Sequence, residues 1–210
     1  MSHITAVSGM IFIPKDQLVH LLHAVENFCP DCELIQGESH YRTWKDDHGG
    51  KLVGDWPLPD GWTEAMVGEG AHHVIRVTDE AMKKKFGGRA RNSSGGPYEI
   101  GVVPVRVERD ANGKVIRAVP DQDGEEYVLM TDWYANGNGV LNMEGIGQRH
   151  MGNNPQTGES TEISFGDLYQ AYRMEQAKAE AEMQGDTIAF EKHKDGTYTA
   201  QVDTVARIGS

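Results

Sequence analysis

His20-x-x-His23 followed by Cys29-Pro-Asp-Cys32 has the spacing of a metal-ligand set. A structural zinc ion needs four such donors converging tetrahedrally at about 2.0–2.3 Å. The residues around them read as a helix, and on a wheel started at Leu18 the histidines fall at about 200° and 140° while Cys29 falls at about 20°. One four-ligand site would therefore require the helix to break. The Cys-x-x-Cys segment could also act as a reversible thiol pair. It lies at a helix C-terminus, however, where the dipole opposes a thiolate. The sequence favours Cys29 as a small buried hydrophobe, and no metal residues are assigned.

A second group of donors is more dispersed. His40, His48, His72 and His73 occur with Asp46, Asp47 and Asp55. Imidazoles and carboxylates together could hold a metal ion, and metal-assisted hydrolysis is the enzymatic alternative they raise. No H-E-x-x-H or comparable spacing supports it. Asp132-Trp133 ends a strand-like run in which Val128, Met130 and Asp132 alternate onto one face. A carboxylate in that row either terminates the strand or meets a ligand. Tyr98, Glu99, Asp132 and Trp133 are the candidate binding residues, and no catalytic residue is assigned. Gly137-Asn-Gly139 and Gly145-Ile-Gly147 lack the Lys-Ser/Thr of a phosphate loop, and Ser8, Ser93 and Ser94 lack a Gly-x-Ser-x-Gly setting.

The elements that must position these groups follow from periodicity. From Tyr98 to Tyr134, three β-patterned runs are separated by Asn112-Gly113 and Asp123-Gly124. Such pairs supply the positive φ of tight hairpins, so the stretch predicts an antiparallel three-strand meander. Ile4 to Ile13 reads as an opening strand. A helix over 15–28 follows, with Leu18, Leu21, Leu22, Val25 and Cys29 on one stripe and Pro30 as its stop. Val74–Val77 reads as a strand and Asp79–Phe86 as a short helix. Ser164 and Asp167 resemble a capping box opening a helix to about Gln184, with Phe165, Leu168, Tyr169, Tyr172, Ala179 and Met183 as its apolar stripe. Thr187–Lys192 and Tyr198–Thr204, joined at Asp195-Gly196, form a terminal hairpin.

Two glycine-rich segments interrupt this pattern. Residues 37–71 carry Trp44, Trp56 and Trp62 and read as an insertion packed by its own aromatics. Residues 136–158 read as turns. The order of elements predicts one α+β domain over 1–210: a mostly antiparallel sheet, two main helices on one face, and long Gly-rich insertions.

Composition limits the function classes. The formal charge is −12, from 32 acidic and 20 basic residues. That balance forfeits the counterion release that drives non-specific nucleic-acid binding. The compact basic patch, Lys83-Lys84-Lys85 with Arg89 and Arg91, reads as a solvated helix end. No apolar run approaches the roughly 18 residues of a membrane span. Two cysteines argue against a disulfide framework, and the amino-terminal residues lack a basic n-region, which predicts a cytoplasmic protein without a membrane partner.

Several pieces, taken in order, resemble a known family: Met1-Ser-His-Ile-Thr, Val74-Ile-Arg-Val, Tyr98-Glu-Ile-Gly, Gly124-Glu-Glu-Tyr-Val-Leu-Met-Thr-Asp-Trp-Tyr134, Leu168-Tyr-Gln-Ala-Tyr172 and the hairpin with Asp195-Gly196. Together they are similar to the family of the hypothetical chloroplast open reading frame thirty-five, a domain of unknown function in plastids, cyanobacteria, other bacteria and phages. The tryptophan-bearing insertion, a hairpin arm near Val105 to Val119 and the 136–158 loop depart from that pattern. The resemblance implies an accessory or adaptor role beside an AAA-type ATPase and carries over no active site. The expected function is therefore a non-enzymatic module binding a protein partner, with no cofactor. Besides the metal-dependent alternative, the acidic balance raises an inhibitor that mimics nucleic acid.

Overall fold

The computed structural model of the protein describes residues 12–51, 58, 61–88, 96–131, 140, 143–147, 150–153, 160–163, 165–193 and 198–204. Its organising element is the long strand β4 (Ile100–Arg109). The start of β4 pairs with β3 (His73–Val77) on one edge, and Ile100–Val105 pair with β6 (Glu126–Thr131) on the other. β2 (Cys32–Gln36) lies outside β3, and the two-residue β1 (Ile13–Pro14) lies outside β6. The sheet runs β1-β6-β4-β3-β2, with antiparallel neighbours throughout and β5 (Val115–Pro120) attached to the far half of β4. The fold is α+β, as the sequence predicts. Of the predicted opening strand, Phe12 and Ile13 fall within the described residues, and Ile13 is paired in β1.

The predicted meander is corrected. Val105 faces Glu126 in β6 and Pro120 in β5 at once, so β5 and β6 occupy opposite edges of β4. Only the first turn is a tight hairpin of the expected kind, with Gly113 at φ 81°. The second Gly is needed for space. A Cβ on Gly124 would stand 2.4 Å from the Val105 carbonyl oxygen, so the chain crosses the backbone of β4 where a side chain cannot fit.

One face of the sheet carries Ile13, Ile75, Val77, Ile100, Val102, Tyr127 and Leu129, and two helices cover it. α1 (Leu18–Phe28) follows a 3₁₀ turn and buries Leu21 and Val25. It ends where Cys29, at φ −118° and ψ 75°, leaves helical geometry before Pro30. α4 (Gly166–Met183) packs beside α1 and buries Leu168, Ala171 and Tyr172 in the same core.

The two ends of α4 differ from expectation. Its N-cap is Phe165 in the left-handed region (φ 60°, ψ 39°), while Ser164 lies outside the described residues. The Leu168 N–H donates to the Ile146 carbonyl at 3.2 Å, so a neighbouring backbone satisfies that first-turn amide. At the other end the predicted stripe outruns the core. Met183 is 81% exposed.

The insertion lines the opposite face of the sheet. Tyr41, Trp62, Val67 and Ala71 pack on Val74, Val103, Val105, Val128 and Met130. The expectation that its aromatics pack on one another is therefore corrected: Trp62 and Tyr41 anchor to the sheet. Trp62 Nε1 donates to the Ala118 carbonyl at 2.9 Å. Trp44 opens the short α2 (Trp44–Asp47) and stacks on His48, while Trp56 lies outside the described residues.

The second Gly-rich run also does more than turn. Val140, Met143 and Ile146 enter the helix-side core, and β7 (His150–Asn153) pairs with β8 (Ser160–Ile163). The short α3 (Asp79–Lys85) is capped by Thr78 Oγ1, which accepts from the Ala81 N–H. β9 (Thr187–Lys192) and β10 (Tyr198–Asp203) form the predicted hairpin as a separate two-stranded sheet against α4. Among the described residues no helix is long and apolar enough to cross a membrane.

Candidate functional site

Two of the four candidate binding residues are brought into one polar network, and they meet groups of this chain. The Glu99 N–H donates to the Arg42 carbonyl, and the Arg42 N–H donates to Glu99 Oε2, each at 2.9 Å. The Glu99 carbonyl accepts from Thr131 Oγ1 at 2.7 Å. The Tyr98 hydroxyl donates to Asp47 Oδ2 at 3.3 Å, and Arg42 Nη2 forms an ion pair with Asp47 Oδ1. Arg42, Thr43, Glu99 and Thr131 are all buried. Such a network fastens residues 41–47 to the sheet, because moving the segment away would leave these buried polar groups without their partners. Asp132 and Trp133 lie outside the described residues.

Arg42 was not singled out from the sequence, and Asp47 was named there only among the dispersed metal donors. A local sign was present in Thr43-x-x-Asp46, the spacing of a capping box. The Thr43 N–H indeed donates to Asp46 Oδ2 at 2.7 Å, which sets α2 and turns Asp47 inward.

The dispersed histidines do not converge. His40 uses both ring nitrogens, Nε2 toward Asp46 Oδ1 at 2.9 Å and Nδ1 toward Glu69 Oε1 at 3.1 Å. Burial works to lower its pKa, but the carboxylates of Asp46 and Glu69 outweigh it and hold it above the ordinary value. His72 sits in a relay. Gln122 Nε2 donates to the Gly70 carbonyl at 2.9 Å, which leaves Gln122 Oε1 to accept from His72 Nε2 at 3.0 Å. The Tyr127 hydroxyl then donates to His72 Nδ1 at 3.1 Å. His73 Nδ1 is buried without a hydrogen-bond partner, and burial together with His72 depresses its pKa. Asp55 lies outside the described residues. Among those described, no group of three or more His, Cys, Asp or Glu is placed to hold a metal ion.

The thiols are equally ill placed for chemistry. Both cysteines are buried and unbridged, whereas His23 is exposed on the far side of α1. Burial, with the Asp167 carboxylate adding to it, pushes the Cys29 thiol up to about 12. Burial and neighbouring Cys29 raise Cys32 as well. A redox pair needs the reverse shift. Gly145-Ile-Gly147 serves packing: a Cβ on Gly145 would lie 1.9 Å from the Phe28 carbonyl oxygen, and Ile146 is wholly buried.

Several charged side chains of the described residues are joined in ion pairs. Asp31 pairs with Lys85, Glu33 with Arg76, Asp121 with Arg106 and Glu126 with Arg109. Lys85 of the predicted basic patch is thus engaged, and Arg89 and Arg91 lie outside the described residues. A cleft of about 80 Å³ opens between Phe28, Asp167, Gln170, Lys192 and Tyr198. It has room for a few waters, well short of the roughly 300 Å³ of a small-molecule site.

A different surface stands out at the end of α4. Met183, 81% exposed, and Val202 of β10, 53% exposed, continue apolar stripes beyond the core. Exposed acids Glu180, Glu182, Glu191 and Asp203 occur on the same elements. A scan against protein-family models finds no match to this chain, and neither do searches of curated proteins or of solved structures.

Proposed function

We propose that the protein is a non-enzymatic accessory module that binds a protein partner through the end of α4 and the β9–β10 hairpin. The observation that carries this reading is the exposure of Met183 and Val202 among acidic residues. An apolar contact ringed by charge suits a protein surface, where burial supplies affinity and charge selects the partner. The engagement of Arg42, Asp47, Tyr98, Glu99 and His72 in fixed internal pairs supports a scaffold role for the other face. The family resemblance in the sequence would make the partner an AAA-type ATPase.

Affinity purification of the tagged protein from its native host tests the reading. A stoichiometric partner that dissociates with added salt and is lost in Met183→Glu is the expected result. Recovery of the protein alone at low salt would defeat it.

A further inference from the structure

We infer that the outer edge of β10 accepts an extended, basic segment of the protein partner as a third strand of the terminal hairpin. This deepens the protein-binding reading above and rests on it.

The hairpin pairs Tyr198 to Asp203 with Lys192 to Thr187 in unbroken register. Among the described residues β9 is the sole strand neighbour of β10. Thr199, Ala200, Gln201, Val202 and Asp203 are all exposed, so this edge stands in solvent. Unpaired edges template further strands, and proteins usually blunt them with proline, lysine, a bulge or extreme shortness. Two edges of the six-stranded sheet follow that rule, while its third, β2, reads Cys-Glu-Leu-Ile-Gln and does not. β1 has two residues and ends at Pro14; β5 contains Arg117 and Pro120, and its register with β4 shifts at Glu108/Arg109. β10 reads Tyr-Thr-Ala-Gln-Val-Asp and carries none of these devices.

The side chains specify the incoming strand. Tyr198, Ala200 and Val202 share a face with Ile188 and Phe190, which are half-buried against α4. A third strand placing apolar residues on that face would cover Val202. The opposite face presents Thr199, Gln201 and Asp203 beside Glu191, all exposed. A lysine or arginine of the incoming strand beside Asp203 would meet its carboxylate, with Glu191 on the same face one strand further in adding to the field. Lys192 does not neutralise them, since its Nζ lies 5.9 Å from the Tyr198 ring centroid on the α4 side. A second copy of the chain would bring the same acids and a further −12.

The test uses three short fluorescein-labelled peptides: alternating lysine and valine, alternating glutamate and valine, and the first peptide N-methylated at alternate residues. The lysine–valine peptide should bind the intact protein and shift the amide resonances of residues 198–203. N-methylation removes the strand hydrogen bonds and should weaken binding at least about tenfold, as should Gln201→Lys or Asp203→Lys at exposed sites. Equal binding of the N-methylated peptide, or resonance shifts elsewhere, would overturn the inference. Binding of the glutamate–valine peptide as tight as the first would do the same. A native partner retained at full level by Gln201→Lys would remove the β10 edge and leave the protein-binding reading standing. Lysine–valine binding without any native partner would support the edge and reject that reading.

Discussion

The ring of Tyr41 occupies the space above Gly101, where a Cβ would come within 2.3 Å of Tyr41 Cδ1. Gly101 lies in the central strand β4, opposite Val74 and Met130, so its missing side chain makes a socket in the middle of the sheet. Tyr41 fills it and is almost wholly buried. Gly101→Ala should therefore destabilise the protein by about 1–3 kcal/mol, the usual cost of overpacking a core. The double variant with Tyr41→Ala should lose less than the two single losses added together. Urea denaturation of the four proteins measures this coupling, and strict additivity would show that ring and socket are independent.

Arg42, next to Tyr41 in the chain, forms a buried ion pair with Asp47. Their side chains are 9% and 7% exposed, so removing either partner strands a charge in the interior. Arg42→Met or Asp47→Leu should each cost about 3–5 kcal/mol. Replacing both should cost far less than the sum, because two apolar groups leave no uncompensated charge. Chemical denaturation of the single and double variants decides it. A double variant as unstable as both losses combined would mean that the pair is not a unit.

What could be read from the sequence divides along physical lines. α1, β3 and the terminal hairpin were legible because each repeats an apolar residue at its own period. The strand order was not, because Asp-Gly marks both a positive-φ turn and a place without room for a Cβ. Gly113 is the first case and Gly124 the second. β2 was missed because Glu33 and Gln36 flank only two apolar residues, Leu34 and Ile35. In the network, Arg42 and Glu99 are joined through a contact far apart in the chain, which no local spacing announces. Tyr98 and Glu99 could be named from the strand pattern around them, but not their partners.

His40 and His73 should bend the pH dependence of stability in opposite directions. The net effect at His40 is a raised pKa, despite burial, because Asp46 and Glu69 favour its charged form. Its stabilising contribution is full below the ordinary imidazole value of 6.5 and is lost as pH rises through the raised value. His73 is depressed by burial and by His72, so the unfolded chain takes up a proton that the folded one refuses. Its penalty appears as pH falls below 6.5 toward the depressed value. His40→Gln should accordingly destabilise the protein more at about pH 5.5 than at about pH 8, while His73→Gln should flatten the acid side of the curve. Urea midpoints across that range provide the check. The same pH profile in both variants would contradict these assignments.

The thiols give the last prediction. Cys29 is 1% exposed and its pKa is pushed up to about 12, and Cys32 is shifted in the same direction by burial and by Cys29. At neutral pH almost no thiolate is present at either sulfur, and reagents cannot reach them without opening the contact between α1 and the sheet. Modification by a disulfide reagent should be slow in native buffer and complete in denaturant, with a native rate that tracks the opening equilibrium. Gly145→Ala would push its Cβ against the Phe28 carbonyl and to 3.0 Å from Cys29 Sγ. That variant should open the same region and accelerate labelling by more than about tenfold, the factor expected when local stability drops by ~1.4 kcal/mol. Fast labelling of the unmodified protein in native buffer would mean that the thiols are accessible, and would restore a redox role for the Cys-x-x-Cys segment.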